Sequence, residues 1–246
     1  MKSHELFAEL ASDNRLAILK ALEKESLKFT SITKIIGATS PEASRQLNRL
    51  SGKELIAKDG EGYYSLTNLG RLVVSSLSNL ETIANRSDFF LKHDTSPIPP
   101  HLLRELDSFA GTEYIEGVFV LVNKMTAIFD DIHVYGWYLS DDFPRFYLPH
   151  IEKKLKEGVE FRAVYPQTLI DNLKKDLPEQ MYSDIEIRTL DEVRIIVNVT
   201  DRFGLLALPG PDGNVDRDHV LIGPDEKFIK WCRAAFLHYF EMSKRC

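Results

Sequence analysis

The alternation of apolar and polar positions cuts the first hundred residues into short helices and one hairpin. Residues 4–11 and 14–23 have helical spacing, with Ser12 or Asp13 capping the second piece and Leu16, Leu19, Ala21 and Leu22 forming its apolar face. The run TSITKIIGATSPEASRQLNRLSGK, residues 30–53, reads as two helices joined by a tight turn. Thr30 caps the first, and Gly37 ends it, because glycine takes the left-handed conformation without steric cost. Ser40 caps the second, with Pro41 at the first helical position, where no amide donor is needed. Ala43, Leu47 and Leu50 then share one face of that helix, while Ser44, Arg45, Asn48 and Arg49 point away from it. Residues 55–58 and 63–66 read as two strands around the glycine-rich turn DGEG.

Helical spacing returns over residues 67–93, with Thr67 as cap and Leu69, Val73, Leu80 and Ile83 along one stripe. The segment TSPIPPH, residues 95–101, stops it: three prolines cannot continue a helix and make a stiff spacer. Beyond it strands and helices alternate. The pattern predicts a strand over 113–118, a helix over 119–131, a strand over 133–140 and a helix over 143–157 ended by Gly158. A strand over 159–166, a helix over 168–177 and consecutive strands over 185–190, 193–200 and 203–209 follow. Residues 210–218, GPDGNVDRD, are turn chemistry throughout. Pro224 opens a final helix with Phe228, Trp231, Cys232, Ala235, Phe236 and Tyr239 turned inward. The order predicts an α+β chain in three parts: a small domain over 1–75, a linker helix and proline spacer over 76–100, and a mixed sheet flanked by helices over 101–246.

Two short helices with Arg and Asn outward, followed by a hairpin, are the pattern of a winged helix-turn-helix, whose second helix enters the major groove. Residues 4–72, ending in YSLTNLGR, resemble the winged-helix domains of ArsR-like transcriptional regulators. Residues 113–242 resemble the effector domain of archaeal regulators named after a methanogenesis regulatory protein. The match rests on HVYGWYLSDDFP, LKEGVEFRAVYP and VNVTDRFGLLALP, before an acidic loop and an aromatic C-terminal helix. They are also similar to the phospholipase-D-like sensor domain of TrmB-type regulators. The resemblance implies an archaeal transcription factor whose second domain answers a small-molecule effector; it names a role and not a molecule.

Composition changes little: 43% hydrophobic and 28% charged residues are ordinary for globular protein. No apolar run is long enough to cross a bilayer, and the start MKSHELFAEL is charged and amphipathic rather than a signal peptide, so a cytoplasmic place without membrane contact is expected. The net charge of −6 runs against DNA binding until it is split. The first 95 residues hold 13 Lys/Arg and 12 Asp/Glu, a charge of +1, and the remainder carries −7. Repulsion from DNA is therefore confined to the second half, and affinity is expected to be modest and salt-sensitive.

The candidate chemistry is binding rather than catalysis, and no enzymatic activity is expected. Phospholipase-D-like enzymes use His-x-Lys pairs with the imidazole as nucleophile, and none of the seven histidines here has a lysine two places on. No phosphate-binding glycine loop and no GxSxG are present. ArsR-like metal sensing needs a cysteine pair, and the first half has no cysteine; Cys232 and Cys246 make neither a disulfide framework nor a zinc site. No metal and no cofactor are expected.

Ser40, Ser44, Arg45, Asn48, Arg49, Lys53 and Lys58 are the expected contacts to a double-stranded DNA operator, since Arg and Asn read base edges and Ser and Lys hold phosphates. A two-fold operator needs a homodimer, for which the stripe on the long helix is the expected seam. In α/β sheets ligands settle beyond the carboxyl ends of the strands. Those ends supply Trp137, Tyr138, Ser140, Asp141, Tyr165 and Gln167, with Arg188, Asp191 and Arg194 around a later junction, as an effector pocket. The alternative from another class is a protein-interaction module or enzyme carrying a degenerate winged helix that no longer meets DNA.

Overall fold

The first helices are held together by the apolar stripes that the sequence shows, with small shifts of register. The computed structural model describes residues 1–245, the Asp176 side chain excepted, so Cys246 lies outside the described residues. The chain divides into two units, Met1–Leu80 and Glu81–Cys246.

The first unit contains α1 (Ser3–Leu10), α2 (Asp13–Lys24), β1 (Leu27–Lys28), α3 (Phe29–Ile36), α4 (Ser40–Gly52), β2 (Ile56–Lys58), β3 (Tyr63–Leu66) and most of α5 (Asn68–Asn85). Ile18, Leu19, Ile32, Leu47, Leu50 and Leu55 are fully buried at its centre. Each such side chain contributes roughly 1.5–3 kcal/mol relative to exposure. The buried face of α2 is rotated from the expected one: Arg15, Ile18, Leu19 and Leu22 point inward, while Leu16 and Ala21 are half-buried. Gly37 ends α3 at φ +61°, as expected. Thr30 does not cap it, because α3 already begins at Phe29; Thr39, not Ser40, is the N-cap residue of α4. Thr67 does cap α5, its hydroxyl accepting from the Gly70 amide at 3.0 Å. The three strands form an antiparallel sheet in the order β1-β3-β2. β1 is too short to carry a pattern and appears only because Leu27 pairs with Tyr64.

The second unit contains α6 (Ser87–Lys92), β4 (Glu113–Glu116), α7 (Val118–Asp130), β5 (Tyr135–Leu139), α8 (Leu148–Lys156), β6 (Glu160–Pro166), α9 (Ile170–Asp176), α10 (Glu179–Asp184), β7 (Glu186–Leu190), β8 (Ile196–Thr200), β9 (Gly204–Ala207), β10 (His219–Gly223), α11 (Glu226–Met242) and β11 (Lys244–Arg245). The strands form one mixed sheet in the order β11-β7-β6-β5-β8-β9-β10-β4. β5, β6 and β7 run parallel and every other pairing is antiparallel. β10 was hidden in the sequence between a turn-rich loop and Pro224. Its short apolar run HVLIG becomes a strand by pairing with both β4 and β9.

Side chains alternate across the sheet and build two cores. Phe161, Ala163, Tyr165, Ile196, Leu205 and Ala207 pack under α7, α8 and α9. Trp137, Leu139, Val164, Val197, Val199 and Leu206 pack under α11 through Phe228, Trp231, Cys232, Ala235, Phe236 and Phe240. Tyr239, expected inside, is half-buried, and its hydroxyl donates to the Pro97 carbonyl.

Two expectations for the middle of the chain are corrected. The helical stretch 67–93 is not continuous: it is broken at Arg86 between α5 and α6. The proline segment, expected as a stiff spacer, packs within the second unit. Ile98 is buried in the core beneath α11, the Trp231 indole donates to the Leu102 carbonyl at 3.1 Å, and the division of the chain falls earlier, within α5. The apolar Ile98 between prolines was the sign of burial. Among the described residues no helix is long and apolar enough to cross a membrane.

Candidate nucleic-acid face and ligand cavity

α4 buries Ala43, Gln46, Leu47 and Leu50, and this fixes what it presents on the other side. Ser40, Ser44, Arg45 and Asn48 are exposed. Arg45 pairs with Glu42 one turn earlier at 2.9 Å. That pair is exposed, so it holds the guanidinium weakly.

Arg49 is exposed too, with half of its side chain accessible, but it and the half-buried Lys53 also bond to α1. Two of the three Arg49 guanidinium nitrogens engage the Glu9 carboxylate of α1, Nη2 to Oε1 at 2.7 Å and Nε to Oε2 at 3.1 Å. Glu9 is buried and also meets Arg15 at 3.0 Å. Arg15 in turn donates to the Ala8 and Glu9 carbonyls and to Gln46 Oε1 at 2.7 Å, so α1, α2 and α4 are clamped through one charge network. The Arg49 hydrogen bonds hold the Glu9 carboxyl below its ordinary range; burial opposes them and the Arg15 charge adds to them. Lys53 Nζ lies 3.2 Å from Glu5, also on α1. Two of the residues expected on DNA are thus engaged within the fold, because α1 packs beside the C-terminal half of α4, which linear sequence does not display.

The hairpin of β2 and β3 adds a second cationic feature. Lys58 is exposed with its ammonium 5.4 Å from the Tyr64 ring, and Lys28 lies 4.8 Å over Tyr63. The Asp59 side chain fixes the turn by accepting from the Glu61 and Tyr63 amides. On α5, Val74 and Leu77 are buried while Leu69, Leu72, Leu80 and Ile83 are exposed, and Val73 is half-buried.

In the second unit a cavity of about 360 Å³ lies between the sheet and α7 and α8. Val122, Met125, Phe129, Phe143, Tyr147 and Leu205 supply most of its apolar wall. Tyr138, Ser140 and Tyr165 line it, as expected. The Tyr138 hydroxyl and Asn198 Oδ1 are buried without a hydrogen-bond partner among the described residues. Burial pushes the Tyr147 phenol up to about 12 and those of Tyr138 and Tyr165 well above the ordinary value, so all three stay neutral donors. Arg217 also lines the cavity and pairs with Asp141 at 2.5 Å. The lining has no histidine or cysteine: it suits binding of an apolar body with a few polar atoms.

The other expected pocket residues are elsewhere. The pleat of β5 sends Trp137 to the face opposite Tyr138, where its ring packs on Phe236 at 5.3 Å and its indole donates to Glu160. Arg188 lies 3.8 Å over the Phe240 ring and pairs with Glu186 at 2.8 Å. Arg194 pairs with Asp94 at 3.0 Å. Asp191 is exposed, 3.9 Å from Lys244, and Gln167 is exposed outside the lining. Phe129, Phe143, Asn198 and Arg217 were missed, since helical and loop residues reach the cavity only through the fold; the aromatic excess in 143–147 was the available signal.

Residues 5–88 match the family model described as the HVO_A0261 N-terminal domain. Residues 123–242 match the middle domain of the methanogenesis regulatory protein FilR1. The chain is 23% identical over 251 residues to methanogenesis regulatory protein FilR1 of Methanothrix harundinacea (strain 6Ac), covering 95% of this chain and 56% of the relative's length. Among solved structures, the archaeal chromatin protein TrmBL2 aligns over 100% of both chains at 13% identity with a TM-score of 0.48. Quinone-bound YodB from B. subtilis aligns over 35% of this chain and 99% of its own at 19% identity, with a TM-score of 0.33.

Proposed function

We propose that this chain is a DNA-binding transcriptional regulator. Residues 1–75 act as a winged helix-turn-helix and residues 101–246 as an effector-binding domain. The observation that carries the reading is the exposed face of Ser44, Arg45 and Asn48 on α4, with the Lys58 hairpin next in the chain. Side chains of this kind on a helix that buries its other face read major-groove base edges, while hairpin lysines hold the backbone. The similarity of the second unit to a protein named as a regulator supports the same role. Arg45 and Asn48 are the base-reading candidates; Ser40, Ser44 and Lys58 contact phosphate, and Arg49 and Lys53 chiefly fix α1 against α4.

The effector is a small molecule with an apolar or aromatic body, received between α7, α8 and the sheet. Two copies pair through the exposed stripe of α5, which a dimeric operator requires. A gel-shift with the protein's own upstream DNA tests the reading. Wild type binds in a salt-dependent way, and Arg45→Ala with Asn48→Ala loses sequence preference in a folded protein. Equal binding by that variant removes α4 as the recognition helix.

A further inference from the structure

Three potential metal ligands converge: His93 just after α6, Asp216 in the loop before β10, and His219 at its first position. Their ligand atoms all lie within 4.8 Å of one another. His93 Nε2 is 3.3 Å from Asp216 Oδ2, and His219 Nδ1 is 2.8 Å from the same oxygen. The His93 side chain is fully buried. Its ring packs on Phe89 with centroids 4.4 Å apart, and the His219 ring stacks on Tyr114 at 6.0 Å.

The proton count decides what the cluster lacks. His93 Nδ1 lies 2.6 Å from the Phe89 carbonyl oxygen, which can only accept, so Nδ1 carries a proton. A neutral His93 therefore turns the lone pair of Nε2 toward a carboxylate oxygen. That contact is repulsive unless a second proton or a cation stands between them. An imidazole whose far nitrogen is held by a backbone carbonyl is also the arrangement in which metal-binding histidines are oriented. Bonds of about 2.0–2.1 Å in tetrahedral geometry place neighbouring ligand atoms about 3.3 Å apart. The His93–Asp216 separation has that value, the His219–Asp216 pair is about half an ångström closer, and the two imidazole nitrogens lie within 4.8 Å of each other.

We infer that His93, Asp216 and His219 form a binding site for a borderline divalent transition-metal ion of the Zn²⁺ type. Two imidazoles and one carboxylate suit Zn²⁺, Co²⁺ or Fe²⁺ over Ca²⁺ or Mg²⁺, which prefer oxygen alone. The ion ties the segment after α6 to the sheet at β10, and does not depend on the DNA-binding reading.

The test uses the full chain without a histidine tag, in a Cys246→Ser background that removes the C-terminal thiol as a ligand, after treatment with a chelator. Calorimetric titration with Zn²⁺ should show one equivalent bound. Co²⁺ should give visible d–d absorption, and Zn²⁺ should raise the melting temperature. Asp216→Asn and His219→Ala should each weaken binding at least about tenfold with an unchanged circular dichroism spectrum. Since His93 is buried, its participation is read in the wild-type fold instead, as a shift of its ring ¹⁵N signals on adding Zn²⁺. Absence of a bound equivalent, unchanged affinity in the Asp216→Asn/His219→Ala double variant, or a His93 ring protonated on both nitrogens with and without Zn²⁺ overturns the site. The last result would show that a proton holds the cluster.

Discussion

Arg49 on α4 grips the carboxylate of Glu9 on α1 with two nitrogens, at 2.7 and 3.1 Å, although it stands in sequence beside the exposed Arg45 and Asn48. The two arginines should therefore separate on mutation. Arg45→Ala should weaken operator binding roughly tenfold or more with an unchanged melting temperature, the cost of a lost base contact. Arg49→Ala should lower the melting temperature, because it leaves the buried Glu9 with Arg15 alone. Paired thermal melts and gel-shifts check this; a thermally silent Arg49→Ala would show the clamp to be idle.

The same carboxylate sets a pH dependence. The Glu9 value is lowered in the fold from 4.5, first by the Arg49 hydrogen bonds against the opposing effect of burial. A lowered folded value means that Glu9 stabilises the fold fully above its unfolded value. The contribution declines as pH falls below about 4.5 and is gone below the folded value. Melting curves from pH 7 down to pH 3 should fall more steeply for wild type than for Glu9→Gln.

Close packing under α11 gives a third expectation. A Cβ at Gly204 would stand 2.8 Å from Cys232 Sγ and 3.0 Å from Phe228, whereas one at Gly60 meets nothing within 4 Å. Gly204→Ala should cost about 1–3 kcal/mol of stability in chemical denaturation, and Gly60→Ala should be close to neutral.

The cavity can be probed with an aromatic dye. Anilinonaphthalene sulfonate, an aromatic body with one anionic group, should bind the folded chain with enhanced fluorescence. Val122→Trp, which fills the cavity from α7, should abolish the enhancement, and Trp137→Phe, on the far face of β5, should retain it. The reverse outcome would place the probe elsewhere.

The α5 stripe is tested by assembly. Light scattering at micromolar protein should report a dimer for wild type. Leu72→Glu with Leu80→Glu, both on the exposed face, should give a monomer with unchanged helicity. A wild-type monomer would mean that the stripe stays uncovered.

Periodicity alone determined the local elements. The Gly37 turn, the buried Ala43–Leu47–Leu50 stripe, the Thr67 cap and the inward row of α11 are all consequences of 3.6- or two-residue repeats and of glycine's freedom at positive φ, which neighbours in sequence suffice to impose. Elements that exist only by pairing were not legible: β1 and β11, two residues each, are too short to carry a period, and β10 is masked by the turn-rich loop and Pro224 on either side; all three are made by partners far along the chain. The sites divide in the same way. Ser44, Arg45 and Asn48 could be placed because one helix sets their direction. Trp137 and Tyr138 could not be told apart as pocket residues, since a strand's pleat sends neighbours to opposite faces and only the packing of α7, α8 and α11 decides which face holds the cavity. Arg49 reaching Glu9, and His93 meeting Asp216 across 123 positions, are contacts that tertiary structure alone creates.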